Sequence, residues 1–246
     1  MDSKDFKDSV LSYSSIKAFA KSPNHFIDYK TREQPDKAHF AFGRAFHGFI
    51  LEPEKFDSEY QVVPKVDRRT KAGKQEYLEL MEAAGDRDII QGPEFHCIKE
   101  MAKSVAEYAP AMDLLDGTLR ETHIKGDIGG VPFHGYADAH DSNRNYAIDL
   151  KTCRDASKDA FMRDAHNMDY HLQAAIYKKL LNVERFYWVV VEKESPYNVA
   201  VFMQSEDAAK KSDHYLNTLT EKWKAWNGSP QTYSKEIQVL DLPRWA

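Results

Sequence analysis

Hydrophobic residues in the first third of the chain recur mainly at helical spacing. A first helix is predicted through Ile16 and Phe19, with Ser12 or Ser14 as its N-cap, and Pro23 ends or restarts it. Further apolar stripes with a period near 3.6 residues predict three more helices. They cover about residues 40–51, 73–84 and 94–108.

The pattern changes to β-type after residue 115. From Leu119 to Lys151, two turn-rich clusters, Asp127–Gly130 and Asp141–Asn145, divide the chain into a predicted three-stranded meander. Four more elements are predicted downstream. They are a helix at about Asp169 to Leu181, strands at Arg185 to Glu192 and Val199 to Met203, and an amphipathic helix at about Asp207 to Trp226.

This order of elements predicts an α/β fold, in which a mixed β-sheet is flanked by helices and carries an N-terminal helical elaboration. We expect a single domain over residues 1–246. Residues 1–115 would form its mainly helical part and residues 116–246 its core.

Composition narrows the class of protein. The 246 residues are 42% hydrophobic and 30% charged, as in a globular protein. No apolar run approaches the roughly 18 residues of a membrane span, and the N-terminus lacks the apolar stretch of a secretory signal. We therefore expect a cytoplasmic protein without a membrane partner. Cys97 and Cys153 are too few for an iron–sulfur cluster or a cysteine-rich zinc site, and both are expected to be small buried side chains.

The net charge of −5 argues only weakly against a nucleic-acid partner, because a basic surface can be local. The window from Lys65 to Lys74 holds a single acid, Asp67. Its basic residues are either an ordinary solvated loop or contacts for a phosphate backbone. The residues expected to contact DNA are Arg68, Arg69, Lys71 and Lys74.

The segment GYADAHDSNRNYAIDLKT holds the most informative chemistry. Asp138 and Asp149 lie on successive predicted strands, 149 − 138 = 11 residues apart, so a hairpin can bring both carboxylates together. Paired hard oxygen ligands favour Mg²⁺ or Mn²⁺. Lys151 follows Asp149 by two residues, and on a strand both side chains emerge from one face. The alternative interpretation is a surface hairpin with an Asp–Lys ion pair.

This pattern resembles the PD-(D/E)XK nuclease superfamily. The helix DYHLQAAIY places Gln173 and Tyr177 four residues apart, which is similar to the Q-x-x-x-Y element of its RecB-type and RecE-type branch. GRAFH, with His47, resembles the histidine that completes the metal site there. Without the family, His47 on an apolar helix would be interpreted as a core residue.

A narrower resemblance, from about Leu11 to Trp245, is to the RecE-type (exodeoxyribonuclease VIII-like) phage exonucleases. It rests on LSYSSIKAFAKSPNHFIDYK, GRAFHGFILEPEKF, VDRRTKAGKQEY and LPRW. It implies 5′ to 3′ degradation of linear double-stranded DNA that leaves 3′ single strands. A RecT-type annealing protein would receive those strands during DNA recombination. A ring-shaped homo-oligomer, such as a tetramer, and the cytoplasm of a bacterial host cell are implied as well.

The resemblance also implies roles for residues. Mg²⁺, for which Mn²⁺ can substitute, would be held by His47, Asp138, Asp149 and the Leu150 carbonyl. Lys151 would assist the attacking water, and Gln173 and Tyr177 would position the phosphate or the metal shell. Glu121, at the head of the first strand of the meander, is either a supporting acid or a solvent-facing residue.

Three other functions remain open at this point. A structure-specific or single-strand PD-(D/E)XK nuclease would share the site and differ in substrate. A non-catalytic DNA-binding module would keep the fold with a decayed site, although the complete Asp, Asp and Lys set argues against decay. A metal hydrolase acting on something other than nucleic acid would make the basic loop a coincidence.

Overall fold

A computed structural model describes residues 6–32, 38–233, 236, 237, 239 and 241. The LPRW segment, Leu242 to Trp245, lies outside the described residues. The helices over the first half of the described chain are α1 (Tyr13–Lys21), α2 (Pro23–Thr31), α3 (Ala38–Leu51), α4 (Phe56–Glu59), α5 (Lys71–Ala84), α6 (Gly92–Glu107) and α7 (Ala109–Leu115). Those of the second half are α8 (Lys158–Asn167), α9 (Tyr170–Leu181) and α10 (Glu206–Ala225).

Seven strands form two sheets among the described residues. The strands are β1 (Tyr60–Val63), β2 (Asp88–Gln91), β3 (Leu119–Ile128), β4 (Val131–Asp141), β5 (Tyr146–Cys153), β6 (Arg185–Glu192) and β7 (Val199–Met203). The larger sheet has the order β3-β4-β5-β6-β7, and its β5–β6 pair is parallel while the others are antiparallel. The predicted meander and the mixed sheet flanked by helices are therefore confirmed.

The parallel pairing of β5 with β6 follows from the chain between them. Parallel neighbours need a long crossover connection, and α8 and α9 provide it. The sequence predicted α9 but not α8. Tyr146 pairs with Arg185 at one end and Cys153 with Glu192 at the other, and β7 pairs with the opposite edge of β6. The apolar run of β6 therefore lies between two strands.

Each face of the large sheet is covered by its own hydrophobic cluster. The first cluster joins one face to α1, α2, α9 and α10, and includes Phe26, Phe133, Ile176, Phe186 and Trp223. The second joins the other face to α3, α6 and α7, and includes Phe46, Ile98, Met101, Ile148 and Leu150. Alternation along the strands divides side chains between the two clusters, as expected for a sheet buried on both sides.

Local signals explain the N-terminal helices. Ser12, rather than Ser14, is the N-cap of α1, where its hydroxyl accepts from the Ser15 N–H and the Ser15 hydroxyl accepts from the Ser12 N–H. Pro23 starts α2 after Ser22, which caps it.

The short parallel sheet of β1 and β2 was not predicted. Its strands have four residues each, too few to show a period of two against the helical pattern around them. Cys153 is buried as expected, whereas Cys97 is only partly buried and donates to the Lys193 carbonyl oxygen at 3.0 Å. Across the described ranges, no helix combines the length and apolar character that a membrane crossing requires.

Candidate active site

The site lies where β4 and β5 separate. The pairing of these two strands ends at Ala139 and Ile148, the pair furthest from the hairpin turn. Next to the last pair, the side chain of Asp138 accepts a 2.7 Å hydrogen bond at Oδ2 from the Leu150 N–H. Because the N–H and C=O of one strand residue point to the same side, the Leu150 carbonyl also faces this gap.

The face presented by β4 changes at Asp138. Ala137 belongs to the first hydrophobic cluster and Ala139 to the second, although residues two apart in a regular strand share a face. The residue opposite Asp138 in the β3–β4 register is Glu121, since Arg120 pairs with Ala139 and Thr122 with Ala137. Glu121 has φ 43°, an uncommon and strained value for a residue other than glycine. This irregularity, on both strands at once, turns two carboxylates toward α3.

His47 from α3 completes a cluster with these two acids. One ligand atom each from His47, Glu121 and Asp138 lies within 4.8 Å of the others. His47 Nδ1 is 3.5 Å from Asp138 Oδ2, and both side chains are mostly buried. Two carboxylates and an imidazole, beside the Leu150 carbonyl, form a donor set dominated by hard oxygen. That set fits Mg²⁺ or Mn²⁺.

The electrostatics of this cluster also fit a cation. Burial, and then the negative charge of Asp138, raise the pKa of Glu121 to about 7. Ionisation of Glu121 beside Asp138 is therefore unfavourable in the metal-free site. A bound divalent cation would relieve that repulsion.

Asp149 and Lys151 lie together on the face of β5 that α9 covers. Asp149 Oδ2 is 2.6 Å from Lys151 Nζ, an ion pair without the angles of a hydrogen bond, and Asp149 is almost fully buried. Gln173 of α9 joins both residues. Its Nε2 donates to Asp149 Oδ1 at 2.8 Å, and its Oε1 accepts from Lys151 Nζ at 3.2 Å.

Burial and charge act in opposite directions on this pair. Burial raises the pKa of the Asp149 carboxyl, the Lys151 ammonium lowers it, and the net shift is upward. For Lys151, burial lowers the pKa, but the carboxylates of Asp149 and Asp138 outweigh it and the net shift is also upward. Lys151 is therefore held as an ammonium beside the two acids.

Two tyrosines of α9 surround the pair. The Lys151 Nζ lies 4.5 Å from the ring centroid of Tyr170, a cation–π contact. Tyr177, whose pKa is raised to about 12, first by burial, packs over Gly135 of β4. A Cβ at position 135 would lie 3.0 Å from Tyr177 Cε1, so only glycine leaves room for this ring.

A cleft of about 440 Å³ opens onto the His47, Glu121 and Asp138 cluster. Arg44 also lines it and is held by an ion pair of 2.6 Å with Asp88 of β2. Arg44 was not predicted from the sequence as a site residue, although it precedes His47 by one helical turn and shares its face of α3. A larger cavity of about 780 Å³ beside the β4–β5 turn is lined by none of these residues.

The residues expected to contact DNA lie outside this cleft, at the start of α5. Arg69 makes two hydrogen bonds of 2.9 Å with Asp67, through Nε and Nη2, and Arg68 stacks on Tyr77. Lys71 and Lys74 line a shallow depression of the surface. The structure thus brings together the predicted His47, Glu121, Asp138, Asp149, Lys151, Gln173 and Tyr177, but not the basic loop.

Comparison with known proteins identifies the family. The PDDEXK-like domain of unknown function (DUF3799) matches residues 12–242. The chain belongs to this family. Its PDDEXK-like character confirms, at the level of family and fold, the resemblance to PD-(D/E)XK enzymes of the RecE type. No curated protein matches the DUF3799 chain.

One solved structure supports the fold. A crystal structure of a candidate exonuclease from Eubacterium rectale has a TM-score of 0.63 at 12% identity, over 98% of this chain and 92% of that one. A phage-related exonuclease from Haemophilus somnus 129PT is also similar, at 12% identity over 88% of this chain and 94% of that one. Its TM-score of 0.36 is too low to support a conclusion about this chain.

Proposed function

We propose that this DUF3799 protein is a metal-dependent exodeoxyribonuclease that degrades linear double-stranded DNA from 5′ to 3′. One observation supports the chemistry above all others. Asp138 joins the His47 and Glu121 cluster to the strand that carries Asp149 and Lys151, through its hydrogen bond to the Leu150 N–H. The proposed cation site therefore contacts Leu150, the residue between Asp149 and Lys151.

The residues around the gap would hold Mg²⁺ or Mn²⁺. His47, Glu121 and Asp138 offer ligand atoms that are already close together, and the Leu150 carbonyl faces the same gap. Asp149 is near enough to interact electrostatically with Asp138 and His47, and we propose it as a further ligand. When bound, the cation would supply Lewis acidity toward a phosphate oxygen and toward water. Glu121, whose two interpretations the sequence left open, is proposed here as a ligand.

Lys151 would act on the attacking water and on the phosphate. An ammonium has three N–H donors, and Gln173 accepts one of them, so donors remain for a water or a phosphate oxygen. The Asp149 carboxylate and the Tyr170 ring hold the positive charge in place. Such a fixed cation offsets the charge that grows on the phosphate during cleavage.

Gln173 and Tyr177 would position these groups rather than react. Gln173 determines where the Asp149 carboxylate and the Lys151 ammonium lie relative to each other. Tyr177 fills the space above Gly135 and holds α9 against β4. We propose that the whole chain acts as one nuclease domain. We also propose that a ring-shaped homo-oligomer carries out resection and passes 3′ single strands to a RecT-type annealing protein.

The test is digestion of linear duplex DNA labelled at the 5′ or the 3′ end, with Mg²⁺ or with EDTA. We expect Mg²⁺-dependent release of the 5′ label, while closed circles stay intact. Cleavage of closed circles or of single strands alone would assign a structure-specific or single-strand nuclease instead. Binding without cleavage in either Mg²⁺ or Mn²⁺ would assign a DNA-binding module.

Variants then connect the activity to the site. Lys151→Ala and Asp149→Ala should abolish cleavage, with losses of about 10²–10⁴-fold or more. Lys179→Ala is the matched control, because Lys179 is an exposed lysine of α9 outside the site. Thermal unfolding of each variant must show that the fold is retained. Normal cleavage by either site variant would overturn the assignment of roles.

A further inference from the structure

The outer face of the β3–β4 hairpin carries a row of side chains that leads away from the metal-ligand cluster. In the register of the two strands, Glu121 and Asp138 lie opposite each other at the irregular point of the hairpin, and His123 pairs with Tyr136 two residues further along. Two residues of strand span about 6.8 Å, which equals two steps of a stacked nucleic-acid strand. A base seated at the second pair would therefore belong to a strand whose phosphate lies at the cluster.

The second pair presents flat rings to solvent. His123 and Tyr136 are stacked, with ring centroids 4.9 Å apart and an interplanar angle of 27°. Tyr136 remains 59% exposed, and His123 is exposed as well. His134 stands edge-on to His123 at 6.1 Å. One face of the Tyr136 ring is used by His123, and no second aromatic ring among the described residues stacks on it, so its other face can receive a further ring.

Positive charge lies beside these rings. Lys125, which is exposed, pairs with His134 in the β3–β4 register and continues the same row. Flat rings that alternate with a cation match the chemistry of a single nucleic-acid strand, in which bases stack and phosphates are attracted to lysine. A purely structural cross-strand pair would explain the His123–Tyr136 contact, but not the row that continues from the carboxylates to Lys125.

We propose that His123 and Tyr136 form a stacking platform for an unpaired nucleobase of the substrate strand, within about two nucleotides of the scissile phosphate. Lys125 contacts a phosphate of the same strand. This inference rests on the proposed nuclease function, because it concerns how that site holds its substrate. The platform binds a strand end that has separated from its complement, so it favours frayed ends over closed duplex.

Photo-crosslinking tests the platform without cleavage. Wild-type protein is irradiated in EDTA with single-stranded and frayed-end oligonucleotides, each carrying one 5-iododeoxyuridine at a different position. A base stacked on an aromatic ring crosslinks to it, and we expect one position near the end to label Tyr136 or His123. Crosslinks that map elsewhere at every position would overturn the platform.

Binding measurements with variants separate stacking from a structural role. We expect Tyr136→Ala to weaken binding of a fluorescent single-stranded oligonucleotide by about 5- to 150-fold, and Tyr136→Phe to retain it. Tyr233→Ala is the control, since Tyr233 is similarly exposed at 58%. An abasic site at the crosslinking position should weaken binding to the wild type, but not to Tyr136→Ala.

The outcomes distinguish the two proposals. Wild-type protein that cleaves DNA, together with Tyr136→Ala that binds as tightly as the wild type, overturns the platform and leaves the nuclease function intact. Wild-type protein that neither binds nor cleaves DNA overturns both.

Discussion

Gln173 donates a hydrogen bond of 2.8 Å from Nε2 to Oδ1 of Asp149, and the same amide accepts from Lys151. Asp149 is almost fully buried on β5, and Gln173 reaches it from α9, 24 residues later. One neutral side chain therefore satisfies a buried acid and orients the ammonium beside it. Buried charges tolerate the interior only when they are paired and hydrogen-bonded in this way.

Replacing Gln173 with leucine should lower kcat by about 10–100-fold, as loss of a supporting hydrogen bond does in other metal-dependent sites. Leucine keeps the volume but removes the donor to Asp149 and the acceptor for Lys151. The KM for DNA should change little. Gln204→Leu is the control, because Gln204 is also buried and hydrogen-bonded but contacts His171 and Ser212 instead. Equal kcat values for the two folded variants would contradict the bridging role.

Stability of the metal-free protein should depend on pH through Glu121. Its pKa of about 7 lies above the ordinary value of 4.5, so the folded state binds this proton more tightly than the unfolded chain. The Glu121 carboxyl therefore makes its full contribution to the free energy of unfolding below pH 4.5, and this contribution is lost as the pH rises from 4.5 to about 7. Because Glu121 is partly exposed, solvent screening will reduce the size of this contribution.

The measurement is Tm against pH for the wild type and for Glu121→Gln, with Glu107→Gln as an exposed control. As the pH rises, the Tm of Glu121→Gln should fall less than that of the wild type, whereas Glu107→Gln should behave like the wild type. Mg²⁺ should raise the wild-type Tm more at about pH 8 than at about pH 5, because it binds the ionised carboxylates. A Tm difference between wild type and Glu121→Gln that is the same at every pH would contradict the shifted pKa.

Gly135→Ala should destabilise the protein by about 1–3 kcal/mol, as overpacking does. The new Cβ would lie 3.0 Å from Tyr177 Cε1, so either α9 or β4 must move. Cleavage should fall as well, since Gln173 is one helical turn from Tyr177. Gly43→Ala is the matched control of opposite sign. Outside its own turn of α3, no atom of the described residues lies within 4 Å of its added Cβ, and alanine favours a helix by about 0.5–1 kcal/mol. Urea unfolding curves compare the two.

The basic loop should contribute to DNA affinity through Lys71 and Lys74, which are both exposed. We expect Lys71→Ala and Lys74→Ala each to reduce the slope of log K against log salt by about 0.9. Arg69→Ala should change the slope less, because Asp67 already offsets the Arg69 charge. Lys103→Ala on α6, where Lys103 faces Glu107, is the control. An unchanged slope in both Lys71→Ala and Lys74→Ala would show that the loop is an ordinary solvated surface.

Much of the fold and of the site could be predicted from local pattern. A period of 2 predicts the β3–β4–β5 meander and places Asp149 and Lys151 on one face of a strand. A period of 3.6 predicts the helix α9. Those periods are properties of neighbouring residues, so they need no knowledge of the rest of the chain. The strands β1 and β2 could not be predicted, because four residues carry too little pattern and their pairing joins distant segments.

The sequence by itself determined which side chains were available and which of them share a strand or a helical face, since backbone geometry decides this locally. Only the tertiary structure decided that His47 and Glu121 meet Asp138, that Gln173 reaches Asp149, and that Tyr136 stays exposed beside the cluster. These relationships depend on how helices pack on the sheet and on the irregular backbone at Glu121. Contacts between residues far apart in sequence arise from the packing of the whole chain, which no local period encodes.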